Sequence, residues 1–130
     1  QLAGDVVNGS NGTIWVAGPL RGAMPAFGNA GYVALQGGDL TGVRAFSNAG
    51  LLTASDGMAR TLGADTFTNQ STGVLSQANG RLSDVLTIAG NYIGAPGSRV
   101  QQDIDLALPG NADAGDRIVI GGSASGATTF

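Results

Sequence analysis

The sequence contains no cysteine and no histidine, and its charged side chains are all arginine or aspartate, without lysine or glutamate. The absence of cysteine excludes a disulfide framework and a thiol nucleophile. The absence of histidine excludes a Ser-His-Asp triad and the usual zinc sites. Because lysine and glutamate are among the best surface helix formers, a helical bundle is excluded as well. No apolar run approaches the ~20 residues of a membrane-spanning helix.

The composition is typical of a folded chain with many turns. Of the 130 residues, 42% are hydrophobic and only 12% are charged, which disfavours disorder. The 23 glycines, with abundant Asn, Ser and Thr, favour short strands joined by tight turns. The net charge of −3 disfavours nucleic acid as a partner, since phosphates need a basic surface.

An internal repeat occupies the first two thirds of the sequence. Residues 27–33 match residues 46–52, and longer copies begin at Val6 and Phe67. The leading apolar residues are separated by 21, 19 and 21 residues. Each copy reads apolar-x-Asn, a short loop, and then Gly-x-apolar. A second landmark, Gly38, Gly57 or Gly80, follows five residues after the last apolar residue, and in the first copy Gly18-Pro19 takes its place.

The repeat predicts an all-β fold, a right-handed parallel β-helix (solenoid). A unit of this size is too small to bury its own apolar face, so stacked units share one core. We expect each Asn to adopt a left-handed conformation at a bend and to bond the Asn of the next coil. The later glycine is expected to supply positive φ at a second bend. The alternative is a set of β-hairpins, which would not keep two landmarks in register.

The C-terminal third departs from this repeat and predicts a different structure. Residues 84–92 predict a strand and a turn, and residues 116–122 echo them. Between them, Val100, Ile104, Leu106 and Leu108 alternate with polar residues, and residues 109–111 predict a turn. We therefore expect β-helix coils over residues 1–82. Over residues 83–130 we expect a cap, with a β-hairpin or antiparallel strands that close the end of the solenoid.

The residues of this cap carry a family resemblance. The segments 83–92 and 116–122, with Gly97 and residues 125–128, resemble the C-terminal passenger region of pertactin-like type V autotransporters, called the autochaperone or junction region. The upstream Phe-x-Asn coils are similar to the β-helical stalk of such passengers. We expect the sequence to begin in mid-protein.

The resemblance implies a non-enzymatic structural module that nucleates and templates β-helix folding during outer-membrane secretion. Its implied partners are upstream passenger coils and a C-terminal outer-membrane β-barrel. Its implied location is the bacterial cell surface, attached to the outer membrane or secreted after passage through the periplasm, where it would support an adhesin or virulence passenger. Three alternatives stay open: an adhesive β-helix that binds host glycan or matrix protein directly, a fragment of a polysaccharide-degrading enzyme, and a phage tail or surface-layer β-solenoid, which would form intertwined trimers.

No catalytic, cofactor-binding or metal-binding residue is assigned from the sequence. Asp103 and Asp105 could form a calcium, sugar or glycan-cleaving carboxylate pair, but a solvated strand face is the favoured interpretation. Asp84 and Asp116 occupy equivalent places, and we expect each to bond its own backbone at a turn. Trp15 and Tyr32 are two aromatic residues that could stack on a sugar, but packing in the core or at a coil edge is favoured.

Overall fold

The apolar residues of each repeat lie on the inner side of short strands that stack into a parallel β-solenoid of about five turns. The structure is a computed structural model that describes residues 2–107 and 114–130, and the strands within these ranges are joined by turns without a helix. In chain order the strands are β1 (Leu2–Ala3), β2 (Val6–Asn8), β3 (Thr13–Val16), β4 (Leu20–Asn29), β5 (Tyr32–Leu35), β6 (Leu40–Asn48), β7 (Leu51–Thr53), β8 (Ala59–Asn69), β9 (Val74–Ser76), β10 (Val85–Ile88), β11 (Asn91–Gln101), β12 (Arg117–Ile120) and β13 (Ala124–Thr129).

The strands form three faces around one core. The first face contains β1, the N-terminal parts of β4, β6 and β8, and then β10 and β12. The second contains β2, the C-terminal parts of β4, β6 and β8, the N-terminal part of β11, and β13. The third contains β3, β5, β7, β9 and the C-terminal part of β11. We number the coils 1 (residues 2–16), 2 (20–35), 3 (40–53), 4 (59–76), 5 (85–101) and 6 (117–129).

The register confirms the predicted repeat. Phe27 pairs with Phe46 and Phe46 with Phe67, while Val6 lies beside Phe27. Inside the core, the three phenylalanines and Tyr92 form one column, with ring centroids 4.6, 5.5 and 5.7 Å apart. The second predicted apolar position forms another column, since Val33, Leu52 and Leu75 all have 0% exposure.

A ladder of asparagine side chains follows the phenylalanine column. Asn8 Nδ2 donates to Asn29 Oδ1 (2.9 Å), Asn29 Nδ2 to Asn48 Oδ1 (2.8 Å), and Asn48 Nδ2 to Asn69 Oδ1 (2.9 Å). The predicted Asn–Asn bonds are therefore confirmed. The predicted left-handed conformation is wrong, because no non-glycine residue in the described chain has positive φ. The asparagines end extended strands, and their side chains alone turn inward to bridge the coils.

The glycines of the second landmark all lie in turns between coils, as predicted, but the structural reason for glycine differs among them. Gly57 and Gly80 have φ of 79°, as predicted for a bend. Gly38 does not, and its neighbour Gly37 has φ of 114° instead. At Gly38 the constraint is space, because a Cβ atom would lie 2.0 Å from the carbonyl oxygen of Gly18 one coil below.

The antiparallel strands predicted for the C-terminal third are wrong. β10 pairs in parallel with β8 and β12, and β11 pairs in parallel with β8, β9 and β13, so coils 5 and 6 continue the solenoid. Within the described residues, the antiparallel pairing is confined to one isolated bridge, between Ile104 and Gly115. The longer period of these coils comes from longer turns between the third and first faces, which leave the strand direction unchanged.

The predicted apolar face of residues 100–108 is also wrong beyond its first member. Val100 is buried, but β11 ends at Gln101, and Ile104 and Leu106 are 64% and 87% exposed. Alternation alone did not produce a strand here, because these residues lie in the turn after β11 rather than beside a coil. The predictions for Leu108 and for the turn at residues 109–111 lie outside the described residues.

Candidate functional site

Trp15 and Tyr32 lie on the outer side of the third face, on neighbouring coils. Their rings meet edge to face, with centroids 6.2 Å apart and an interplanar angle of 73°. The Tyr32 hydroxyl lies 3.2 Å from Thr53 Oγ1 of the following coil, and Trp15 remains 61% exposed. The predicted packing at a coil edge is therefore confirmed.

Asp103 and Asp105 do not form a carboxylate pair on a strand face. Both residues follow the end of β11, in the turn between coils 5 and 6. Asp103 Oδ2 accepts hydrogen bonds from the backbone N–H groups of Asn79 (2.7 Å) and Gly80 (2.6 Å). Asp105 Oδ1 instead accepts from Ala107 N at 2.8 Å. The favoured interpretation as a solvated strand face is wrong, since each carboxylate stabilises a different turn.

Asp84 and Asp116 are buried, with 1% and 8% exposure, and they link successive turns. Asp84 Oδ1 accepts from Gly57 N at 2.6 Å, and Asp84 Oδ2 accepts from Asn79 Nδ2 at 2.7 Å. Asp116 Oδ1 accepts from Asp84 N at 3.2 Å, and its Oδ2 accepts from Asp103 N at 2.8 Å. The prediction that each bonds its own backbone is wrong, because the N–H donors belong to other residues: Gly57 and Asp84 one coil away, and Asp103 in the same turn as Asp116.

These bonds belong to a repeated arrangement, which we call the carboxylate corner. It comprises the described parts of the turns from the third to the first face: residues 36–39, 54–58, 77–84, 102–107 and 114–116. From the second of these turns onward, an aspartate accepts a backbone N–H of the preceding turn: Asp56 from Gly37, Asp84 from Gly57, and Asp103 from Asn79 and Gly80. In the first turn, Asp39 instead accepts from Thr61 N of coil 4 at 2.8 Å. Sequence reasoning missed it, although its signal was an aspartate close to each glycine landmark.

The carboxylate corner shifts the pKa of two of its members in opposite directions. Desolvation by burial raises the pKa of Asp84 above its ordinary value of 3.8, and the nearby carboxylates of Asp116 and Asp56 add to this rise. The bonds from Gly57 and Asn79 oppose it. Hydrogen bonds from the backbone of the 79–81 turn, chiefly Asn79 N–H, lower the pKa of the half-buried Asp103. The corner therefore holds one carboxylate that resists ionisation and one that favours it.

One ion pair strengthens the same corner at coil 4. Arg60 Nε and Nη2 both donate to Asp56 Oδ2, at 2.7 and 2.5 Å, and both side chains are 14% exposed. The same oxygen accepts the Gly37 N–H at 3.0 Å. Asp56 Oδ1 is buried without a hydrogen-bond partner among the described residues. All of these hydrogen bonds are therefore accepted by Asp56 Oδ2, and they join the turn before coil 3 to coil 4.

The last coil borders an open concavity. It has a volume of about 730 Å³ and a mainly apolar lining, which includes Tyr92, Val100, Ile118, Ile120 and Phe130. Apart from the exposed Phe130, these side chains continue the columns of the core, so the concavity is the end of the solenoid interior rather than a cleft between faces. It brings together no set of acid, base and nucleophile among the described residues, as only Asp116 and Arg117 bring charge to its wall.

Within residues 2–107 and 114–130, no three metal-ligating side chains come close enough to hold a metal ion. The same part of the chain has no helix long and apolar enough to cross a membrane. The candidate sites that remain among the described residues are the edges of the coil stack and the carboxylate corner.

The sequence matches no protein-family model, no curated protein and no solved structure.

Proposed function

We propose that this chain is the C-terminal part of an autotransporter passenger, in which coils 5 and 6 nucleate and template the folding of the coils before them. In this proposal the module is non-enzymatic, acts at the bacterial cell surface after outer-membrane secretion, and supports an adhesin or virulence passenger. Its partners are upstream coils and an outer-membrane β-barrel. The observation that carries the proposal is the buried hydrogen-bond network joining the turns of coils 4, 5 and 6.

The network favours early stability at the C-terminal end for a physical reason. Parallel β-structure needs contacts between residues far apart in sequence, so its first coils form slowly. Buried bonds of Asp84 and Asp116, together with Gln77 Nε2 to Arg117 O (3.1 Å) and Gln102 Nε2 to Gln77 Oε1 (3.0 Å), tie three successive turns together. Once these turns are closed, coil 5 offers a strand to every strand segment of coil 4. Each further coil then adds to a finished edge.

Deleting residues 83–130 tests the proposal. The chain is fused ahead of an outer-membrane β-barrel in a Gram-negative host, and surface exposure and protease resistance of residues 2–76 are measured. A control deletes coil 1 (residues 2–16), which removes one coil from the opposite end and leaves the proposed template. We expect the 83–130 deletion to abolish both signals, and the coil 1 deletion to leave coils 2–5 exposed and resistant. Equal surface exposure and resistance in both deletions would contradict the proposal.

A further inference from the structure

The asparagine ladder has a direction, and its first member has an open acceptor. In coils 1 to 3 the side-chain amide of each ladder asparagine donates to the next coil, so each carboxamide oxygen of coils 2 to 4 receives a bond from the coil before. Asn8 is only 5% exposed, yet no group of residues 2–107 or 114–130 donates to its Oδ1. Its Nδ2, in contrast, bonds Asn29 Oδ1 at 2.9 Å and Tyr32 O at 3.0 Å.

A second bond of the ladder repeats with the same offset. Asn8 Nδ2 donates to Tyr32 O, Asn29 Nδ2 to Leu51 O (3.1 Å), and Asn48 Nδ2 to Val74 O (3.1 Å). One coil earlier the equivalent carbonyl belongs to Thr13, which pairs with Tyr32. An asparagine placed before Asn8 would therefore meet two acceptors already in position, Asn8 Oδ1 and Thr13 O.

The strands of coil 1 form an edge that is paired on one side only. Among the described residues β1 and β2 pair with β4, and β3 pairs with β5. Val6 and Ile14 are partly buried against the core and continue the phenylalanine and aliphatic columns. This edge, which we call the N-terminal edge, therefore offers backbone groups, two apolar columns and one carboxamide acceptor in a fixed spacing.

The other end of the stack does not match this edge. The ladder position after Asn69 is Gly94, and the position after that is Gly126. Asn69 Nδ2 closes the ladder by donating to the backbone oxygen of Arg99 at 3.0 Å. The C-terminal end of a second copy would thus bring no amide to Asn8 Oδ1, whereas a coil with the repeat of this chain would bring one.

We infer that the N-terminal edge binds a further coil of the type apolar-x-Asn followed by Gly-x-aliphatic, and that Asn8 Oδ1 selects for the asparagine of that coil. The inference rests on the proposed templating function and adds the chemistry of the partner. The apolar residue covers Val6, the aliphatic residue covers Ile14, and the amide donates to Asn8 Oδ1 and Thr13 O. A coil shifted by one residue would place an outward side chain against the ladder, so the amide also fixes register.

The experiment adds one coil and varies its asparagine. A copy of residues 20–41 replaces Gln1, which puts the copied Phe27 before Val6 by the spacing that separates Phe27 from Phe46. Hydrogen exchange then measures the protection of the copied strand amides. In one variant the copied asparagine is changed by Asn29→Asp, which keeps the shape but removes the N–H donors. The matched control is Gly28→Ser in the copy, at a position that faces outward and pairs with Ser47 in the native stack.

We expect strong protection of the added coil and of its Gly28→Ser control. Loss of the two amide bonds by Asn29→Asp should lower protection roughly 5- to 150-fold, from about 0.5–1.5 kcal/mol for each bond. Equal protection of the Asn29→Asp copy would overturn the selection by Asn8 while leaving templating intact. Absence of protection in all three chains would overturn the inference and the templating function together. Head-to-tail oligomers of the unextended chain, detected by sedimentation, would also overturn it, because a second copy would then be the occupant.

Discussion

Replacing Asn48 by alanine tests the energetic role of the ladder at its centre. Asn48 is 0% exposed and takes part in three side-chain bonds, accepting from Asn29 and donating to Asn69 Oδ1 and Val74 O. In Asn48→Ala, Asn69 Oδ1 loses its donor inside the core, while Asn29 Nδ2 keeps its bond to Leu51 O. The unsatisfied Asn69 Oδ1 costs about 1–3 kcal/mol, and each of the two other lost hydrogen bonds costs about 0.5–1.5 kcal/mol, which gives roughly 2–6 kcal/mol.

Urea unfolding followed by circular dichroism measures this loss. Because total stabilities are about 5–15 kcal/mol, the expected change is a large fraction of the whole and should lower the urea midpoint with little change in slope. Ala45→Ser serves as the control, since Ala45 is exposed on the same strand and faces Thr66 in the next coil. We expect the control to stay within about 0.5 kcal/mol of the parent chain. A midpoint for Asn48→Ala equal to that of the control would refute the role given to the ladder.

Three further perturbations address the core, the close contact between coils and the carboxylate corner. Phe46→Ala, which opens a gap between the rings of Phe27 and Phe67, should lower the free energy of unfolding by about 3–5 kcal/mol, measured by urea unfolding. Gly42→Ala should lower the free energy of unfolding by about 1–3 kcal/mol, because φ of Gly42 is 82° and the new Cβ would lie 1.9 Å from Gly22 O. Gly28→Ala is the control and should be neutral or stabilising, because no atom lies within 4 Å of the new Cβ. The raised pKa of Asp84 means that its contribution to stability is full below pH 3.8 and is lost as pH rises through the folded pKa. Urea midpoints across the acid range should therefore fall with rising pH in the parent chain relative to Asp84→Asn, and identical pH profiles would contradict this assignment.

The repeat was predictable because its spacing and its chemistry agree. Phe27, Phe46 and Phe67 recur with nearly constant steps, and each is followed by an asparagine and a Gly-x-aliphatic pair, so one alignment satisfies all three features. Their register in the structure matches that alignment. Parallel stacking forces equivalent side chains into columns, and a column favours a residue that can bond or stack on its own kind.

The C-terminal coils could not be predicted in the same way, because there the columns change their residues. Tyr92 replaces phenylalanine and Gly94 replaces asparagine, while longer turns shift both from the expected spacing. The alternation that included Ile104 and Leu106 indicated a strand, but no neighbouring coil is there to cover it. An aromatic-x-small pair was the remaining signal of coil 5, and it is visible only once the phenylalanine column is known.

The carboxylate corner was missed in the sequence for a related reason. Asp56, Asp84 and Asp103 make equivalent bonds to the preceding turn, yet their distances from the glycine landmarks differ from coil to coil. A turn can vary in length and still bring a carboxylate to the same N–H group. The constraint therefore applies to the position of the carboxylate in three dimensions and not to its separation along the sequence.

The order in which the coils form during refolding tests the central claim most directly. Pulse-labelling hydrogen exchange, started by dilution from urea, reports when the amides of each strand become protected. The account predicts that β10 to β13 are protected first and β2 and β3 last, with β6 and β8 between them. Simultaneous protection of all strands, or protection that begins at β2 and β3, would contradict it.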